Sequence, residues 1–264
     1  METVNLSIDG QPVQVPVGLT ILAAARSLDL YIPTLCHHPD LPPAKGSQAA
    51  PFIFQGGRKI KNASPEKQGA GCGLCVVEVG GFDELVESCS AIVAEGMEIA
   101  TRSERIQAVR QARLVPVMAR HRHACLTCAQ QDGCPRTQCS LNVPEDERCC
   151  SQFGHCELQN VANYVGLSDS TPRWIPSDLK LVDDHPLFAR DANLCIGCTR
   201  CVRACRDLRG IEALGFVYDA NGLVQIGTVS ETLAASGCKF CTACVAVCPT
   251  GALVDKPVKP AGRK

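Results

Sequence analysis

Val4, Leu6 and Ile8 alternate with polar neighbours, the period of a half-buried strand. Asp9-Gly10 is a hairpin turn signal, and Val13, Val15 and Val17 alternate again as the return strand. Thr20 can cap a short helix over residues 21–28 that is apolar on one face. A second helical pattern begins at Thr101 or Ser103 and sets Ile106, Val109, Leu114 and Val117 roughly on one face, with Pro116 placed to kink it. Residues 153–159 open a third amphipathic helix, which carries Val161, Tyr164 and Val165. Residues 166–190, with Ser168-Asp169-Ser170-Thr171-Pro172, have turn chemistry and little periodicity, so they read as a connector whose Trp174 packs on one neighbour. Two apolar runs, 216–218 and 223–226, are split by Asp219-Ala220-Asn221-Gly222 and form a hairpin. The Lys/Pro-rich end, 257–264, reads as a disordered tail.

These elements are short, and the composition gives them thin cores. Aromatic residues make up 4% of 264, with one Trp and three Tyr, so small domains here need staples. A net charge of −1 argues against nucleic-acid binding, which calls for a basic surplus. No charged N-terminal region leads into an apolar run, and no stretch approaches a membrane span, so the expected location is cytoplasmic. There thiols stay reduced, and nineteen cysteines, an odd number, cannot all pair as disulfides.

The cysteines therefore carry the chemistry. Cys195-x2-Cys198-x2-Cys201-x3-Cys205 recurs at a 43-residue offset as Cys238-x2-Cys241-x2-Cys244-x3-Cys248-Pro249. That run is the sequence form of a two-cluster ferredoxin, in which the fourth cysteine of each run serves the other cluster. Cys195, Cys198, Cys201 and Cys248 are thereby assigned to one [4Fe–4S] cube, and Cys238, Cys241, Cys244 and Cys205 to the other. Zinc is the alternative that spacing disfavours most here. Arg206 stands where proline is expected, freeing a backbone donor and adding a charge beside the cube.

Near the N-terminus, Cys36, Cys72, Cys75 and Cys89 offer four thiolates for a [2Fe–2S] cluster, with glycines around Cys72 that let amides approach sulfur. A zinc site is the competing reading for a CxxC pair. His37 and His38 invite a Rieske reading, but with four cysteines at hand they read as exposed loop histidines. The strand–turn–strand–helix opening resembles the β-grasp ferredoxin domain. In the related domain of respiratory complex I the first two cysteines lie close together, whereas here thirty-five residues separate Cys36 from Cys72. The excess, residues 42–68, reads as an inserted surface loop and a candidate docking element.

His121-x3-Cys125-x2-Cys128-x5-Cys134, with Cys156-Glu157-Leu158-Gln159 further on, resembles a specific family. It is the N-terminal iron–sulfur region shared by the complex I large subunit, [FeFe]-hydrogenases and the small electron-transfer subunits of NAD-linked hydrogenases and formate dehydrogenases. The resemblance covers about residues 1–255, with two insertions. It implies a [4Fe–4S] cube held by one His and three Cys. His121 rather than His123 has the spacing; both could also be solvated helix-end histidines. Two ligand sets stay open. Either His121, Cys125, Cys128 and Cys156 hold this cube while Cys134, Cys139, Cys149 and Cys150 hold an additional one, or Cys134 completes the first set and Cys156 joins the second. The former is preferred because Glu-Leu-Gln anchors the position. One cube with spare cysteines is the plainer alternative.

The expected architecture is α+β: a β-grasp [2Fe–2S] domain (1–100), a small helical His/Cys module (101–165), a linker (166–190), a 2[4Fe–4S] ferredoxin domain (191–256) and the tail. The expected cofactors are one [2Fe–2S] cluster and three or four [4Fe–4S] clusters. No dinucleotide fingerprint or Walker loop is present. The chain thus reads as an electron-transfer subunit, without a catalytic residue of its own. The resemblance implies a flavoprotein partner reacting with NAD(P)H and a catalytic partner such as a hydrogenase or formate dehydrogenase. A self-sufficient small reductase with an open-site cube is the rival, favoured only by the surplus cysteines at 134–150.

Overall fold

The computed structural model describes residues 2–167, 171–174 and 179–256. The expected tail at 257–264 lies outside them, as do residues 168–170 and 175–178 of the expected connector. Strands β1 (Thr3–Ile8) and β2 (Gln11–Pro16) pair antiparallel across the Asp9-Gly10 turn, where both residues take positive φ, 51° and 77°. Helix α1 (Ile21–Arg26) starts at Thr20, whose Oγ1 accepts from the Ala23 amide at 3.1 Å. Strands β3 (Phe52–Gln55) and β4 (Arg58–Lys61) form a hairpin. They are followed by β5 (Val76–Val79), β6 (Val86–Glu87) and β7 (Glu98–Ala100). The first sheet runs β2-β1-β7-β5-β6, with a parallel β1–β7 pair at its centre. Ile21, Leu22, Ala24 and Ala25 of α1 close its core against Leu6, Ile8, Val77, Val79 and Ile99.

Helix α2 (Glu104–Met118) is capped by Ser103, whose hydroxyl accepts from the Ile106 amide at 3.1 Å, and it contains Pro116. Its buried face is Ile106, Arg110, Leu114 and Met118. The expected Val109 and Val117 are only half-buried. Arg110 takes the inward place because Nε and Nη2 satisfy the Leu74 and Val76 carbonyls at 3.1 and 2.9 Å. Helix α3 (Glu157–Val165) follows Cys156. Leu114, Met118, Leu158, Val161, Ala162 and Val165 pack with Leu35 and Leu74 of the first domain, and Ile196 adds the ferredoxin segment. One core thus joins three parts of the chain.

The C-terminal part contains β8 (Phe188–Arg190), α4 (Arg200–Arg203), a π-helical turn Ala204–Leu208, β9 (Leu214–Tyr218), β10 (Val224–Thr228), α5 (Ala243–Ala246) and β11 (Leu253–Asp255). Residues 188–190 lie in the expected linker but pair with β11, so ordered structure starts earlier than the sequence pattern suggests.

The expected surface loop at 42–68 needs correction. Its hairpin extends the ferredoxin hairpin into a four-stranded sheet, β4-β3-β10-β9. Ile53 is fully buried, the Ala50 and Ala63 amides donate to the Phe216 and Tyr218 carbonyls at 2.8 Å each, and the Tyr218 hydroxyl donates to Gln68 at 2.7 Å. The physical cause is the open edge of β10: an edge strand with free amides and carbonyls accepts another strand. Gly227 makes the fit possible, since a Cβ there would lie 2.4 Å from the Phe54 carbonyl oxygen.

Candidate metal centres

All nineteen cysteines are free thiols. Cys36 comes from the segment after α1, Cys72 and Cys75 from the glycine-rich loop before β5, and Cys89 from the turn after β6. The Leu35 amide donates to Cys72 Sγ at 3.5 Å and the Cys72 amide to Cys36 Sγ at 3.3 Å. Cys36 also meets Cys72 thiol to thiol, as Cys75 meets Cys89, and each pair feels the charge of the other. Within each pair the hydrogen bond holds one thiol below its ordinary range (Cys72, Cys89) and pushes its donor above it (Cys36, Cys75). Gly71, at φ 79°, leaves room beside Cys36: an added Cβ would point at its sulfur from 3.8 Å. His37 and His38 are half-buried rather than exposed, and burial lowers His37 to about 4.

Cys195, Cys198, Cys201 and Cys248 line one apolar cavity of about 60 Å³. Burial pushes Cys195 up to about 11 and Cys198 to about 12, and Cys201 is pushed up as well, with mutual repulsion adding to it. Cys205 stands by Cys238 and Cys241, and burial plus these three neighbours push Cys244 up to about 12. Each fourth cysteine therefore lies with the other run. Arg206 sits in the π-helical turn, and its guanidinium grips the Asp207 carboxylate at 2.7 and 3.0 Å, so its charge is answered locally.

The middle module is arranged differently. His121 is buried and its Nδ1 has no hydrogen-bond partner. Burial lowers the ring to about 4, against the pull of a Leu194 backbone hydrogen bond. A neutral imidazole with one anchored and one free nitrogen suits a metal ligand. His123 is also buried, but its Nδ1 is taken by the His121 carbonyl at 2.8 Å. The Cys149 amide donates to Cys125 Sγ at 3.3 Å, and burial, with Cys125 beside it, pushes the Cys149 thiol up. Cys150 lies near Cys149 and Cys156, and His121, Cys149, Cys150 and Cys156 line one small cavity. The preferred ligand sets keep Cys149 apart from Cys125 and Cys150 apart from Cys156; the structure brings the members of each pair near one another. Cys128 and Cys134 each accept an amide two residues on, at 3.4 Å. Cys139 is half-buried, its thiol lowered chiefly by the Val143 amide, with Leu141 and Asn142 adding to it.

Among the described residues no set of three or more His, Cys, Asp or Glu is placed to hold a single metal ion. Iron–sulfur clusters fit the chemistry of the donors: thiols gathered in sets, Cys198 and Cys201 among them pushed up by burial and mutual repulsion, and an orphaned buried imidazole.

Comparison with known proteins agrees. Residues 1–47 and 57–104 match the model of a 2Fe-2S iron-sulfur cluster binding domain. Residues 185–254 match the ferredoxin-like domain of NADH-quinone oxidoreductase subunit 3. The chain is 30% identical over 260 residues to the NADPH-Fe(3+) oxidoreductase subunit alpha of Geobacter sulfurreducens, covering 98% of this chain and 25% of that protein. It is 31% identical over 255 residues to the NADP-reducing hydrogenase subunit HndD of Solidesulfovibrio fructosivorans, covering 97% of this chain and 36% of that one. This chain is similar over nearly its whole length to subunits of NADPH-Fe(3+) oxidoreductase and NADP-reducing hydrogenase. It spans about a quarter to a third of the length of these relatives. A chain of an NAD+-reducing [NiFe]-hydrogenase in the H2-reduced state has the same fold, with a TM-score of 0.66 at 24% identity, covering 98% of this chain and 90% of that one. The family models imply a [2Fe–2S] cluster and [4Fe–4S] clusters.

Sequence reasoning missed three buried arginines, Arg110, Arg200 and Arg203. The signal was there for two of them: Arg200 and Arg203 lie inside the first ferredoxin run, where a solvated face would leave them exposed.

Proposed function

We propose that this chain is an iron–sulfur electron-transfer subunit of a multi-subunit oxidoreductase working in the cytoplasm. It would relay electrons between a flavin subunit reacting with NAD(P)H and a catalytic subunit, a hydrogenase, a formate dehydrogenase or another low-potential reductase. The observation that carries the reading is the grouping of thiols in fours on one continuous core. Cys195, Cys198, Cys201 and Cys248 share a single cavity, and Leu35, Leu74 and Ile196 bind all three cysteine-bearing parts to the same helices. We assign Cys36, Cys72, Cys75 and Cys89 to a β-grasp [2Fe–2S] site, and the two crossed sets of 195–248 to two cubes. His121 and the seven cysteines from Cys125 to Cys156 hold one or two more. Bound there, the clusters would supply one-electron carriers of low potential. The chain's own residues do the rest: thiols hold the iron, amides at Gly197 and Arg200 hydrogen-bond Cys195 and Cys198, and apolar walls exclude water. No helix among the described residues is long and apolar enough to cross a membrane.

Anaerobic purification with iron and sulfide quantitation tests the reading. Five clusters give about 18 irons per chain and four give about 14. Four or fewer in fully loaded protein refutes a multi-cluster relay. Turnover of a small substrate by the isolated chain refutes the assignment as a relay subunit, and copurification with a flavoprotein supports it.

A further inference from the structure

Helix α4 carries two arginines that water hardly reaches: Arg200 is 2% exposed and Arg203 0%. Arg203 stands in the wall between two thiol sets. Its Nη2 donates to the carbonyl of Cys36 and faces that of Cys198 at 3.5 Å. Its Nη1 donates to the Pro42 carbonyl at 2.5 Å, and Nε to Thr199 Oγ1 at 3.4 Å. One guanidinium thus grips a cysteine of the first domain and a cysteine of the ferredoxin repeat. Arg200, on the same helix, reaches the Glu157 carboxylate with both terminal nitrogens, at 2.8 and 2.9 Å.

A buried cation is costly unless an anion answers it. Glu157 answers Arg200. The hydrogen-bond partners of Arg203 are three carbonyls and a hydroxyl, all neutral. The negative charge has to come from elsewhere, and the thiolates on either side are the nearest source. Four thiolates around an oxidised iron–sulfur core leave a net charge of about −2, and uptake of one electron makes it about −3. No bond forms or breaks in that step. A fixed cation hydrogen-bonded to the backbone of the ligating cysteines, shielded from water, favours the more negative state. Arginine suits the place because its planar fork serves two carbonyls while it stays charged.

We propose that Arg203 is a positioning and charge-balancing residue shared by the Cys36 and Cys198 centres, raising the reduction potentials of both. Arg200 contributes in the same direction, damped by Glu157. The proposal rests on the cluster reading above.

The test uses the full chain, purified anaerobically, with iron quantified and each centre followed by EPR at controlled potentials. Wild type is compared with R203M, R203K and E157Q. In iron-loaded R203M the reduced-to-oxidised ratio of both centres at a fixed potential falls at least tenfold, about 59 mV for a one-electron couple. R203K keeps the charge and stays within threefold of wild type. E157Q frees Arg200 of its counter-charge and moves both ratios the other way. Iron-loaded R203M with unchanged ratios, even if less stable, overturns the proposal and leaves Arg203 a structural strut. Should R203M fail to hold iron, unchanged ratios in E157Q overturn it instead. Wild-type protein that binds no iron refutes the cluster reading itself, a result distinct from either.

Discussion

The ferredoxin repeat and the Cys-rich stretch before α3 hold almost the same number of cysteines, eight in 195–248 and seven in 125–156, and place them by different means. In the repeat the backbone does it twice over. Gly197 and its counterpart Phe240 have φ of 69° and 56°, and Thr199 and Thr242 have 60° and 55°, so the backbone of each run turns the same way. Every residue of β9 is buried behind them. From Cys125 to His155, by contrast, no residue is fully buried. Polar latches hold that stretch, such as Arg148 donating to the Val143 and Arg136 carbonyls at 2.8 and 3.0 Å. The lesson is that cysteine spacing dictates geometry where a core fixes the backbone between the cysteines. Where no core does, spacing leaves the partners open.

The most damaging way to probe the contrast is to remove one ligand from each region. C198A takes a thiol from the shared cavity, and about four irons per chain are lost together with much of the ferredoxin fold, because metal binding is part of the folding free energy. C139A removes a thiol from the stretch without a buried core, and the ferredoxin signals in EPR stay intact. Equal damage from both would erase the distinction between the regions.

The middle module then needs resolving internally. Since Cys149 touches Cys125 and Cys150 lies by Cys156, the double variant C149S/C150S disturbs the His121 centre, with loss of its EPR signal. C134S/C139S leaves that signal and, if a further cube exists, lowers iron by about four. A His121 signal that survives C149S/C150S, with about four irons lost, restores the preferred set of His121, Cys125, Cys128 and Cys156.

A smaller effect tests what the long insertion does. G227A drives a methyl toward the Phe54 carbonyl oxygen 2.4 Å away and costs ~1–3 kcal/mol. The midpoint of denaturant unfolding measures it. Amide exchange at Ala50 and Ala63, whose hydrogen bonds tie the insertion to β9, rises with it.

That insertion also shows where sequence reasoning stops. The β1–β2 hairpin, the Thr20 cap, a helix start at Thr101 or Ser103 and a hairpin around Asp219-Ala220-Asn221-Gly222 follow from local rules, and these could be read in advance. Phe52, Ile53 and Phe54 are strand-forming residues too, but their partner β10 lies about 170 residues on, as the Thr228↔Phe54 pair shows. No local pattern points there. Arg110 displaced Val109 from the buried face of α2 because carbonyls 34 and 36 positions away had to be met. The same holds for the centres. The repeat at 195–248 was legible because its spacing recurs, whereas the approach of Cys149 to Cys125 depends on a chain path with no regular element beyond the short turn Glu145–Glu147.

The finest comparison sets one latch against another. In the ferredoxin hairpin, Asp219 accepts from the Asn221 and Leu223 amides, both at 2.9 Å, and from Gln225 Nε2 at 2.8 Å. These bonds hold its carboxyl below the ordinary range although burial works against them. The turn it closes is continuous with β9 and β10, so its loss is felt by the whole cooperative unit. D219A therefore lowers global stability by about 1–2 kcal/mol. Arg148 closes a turn with no buried residue behind it. R148A leaves the global midpoint within about 0.5 kcal/mol, and its effect shows only as faster amide exchange between 136 and 149. A global loss in R148A equal to that in D219A would mean that the Cys-rich stretch, despite its lack of a core, folds as one unit with the repeat.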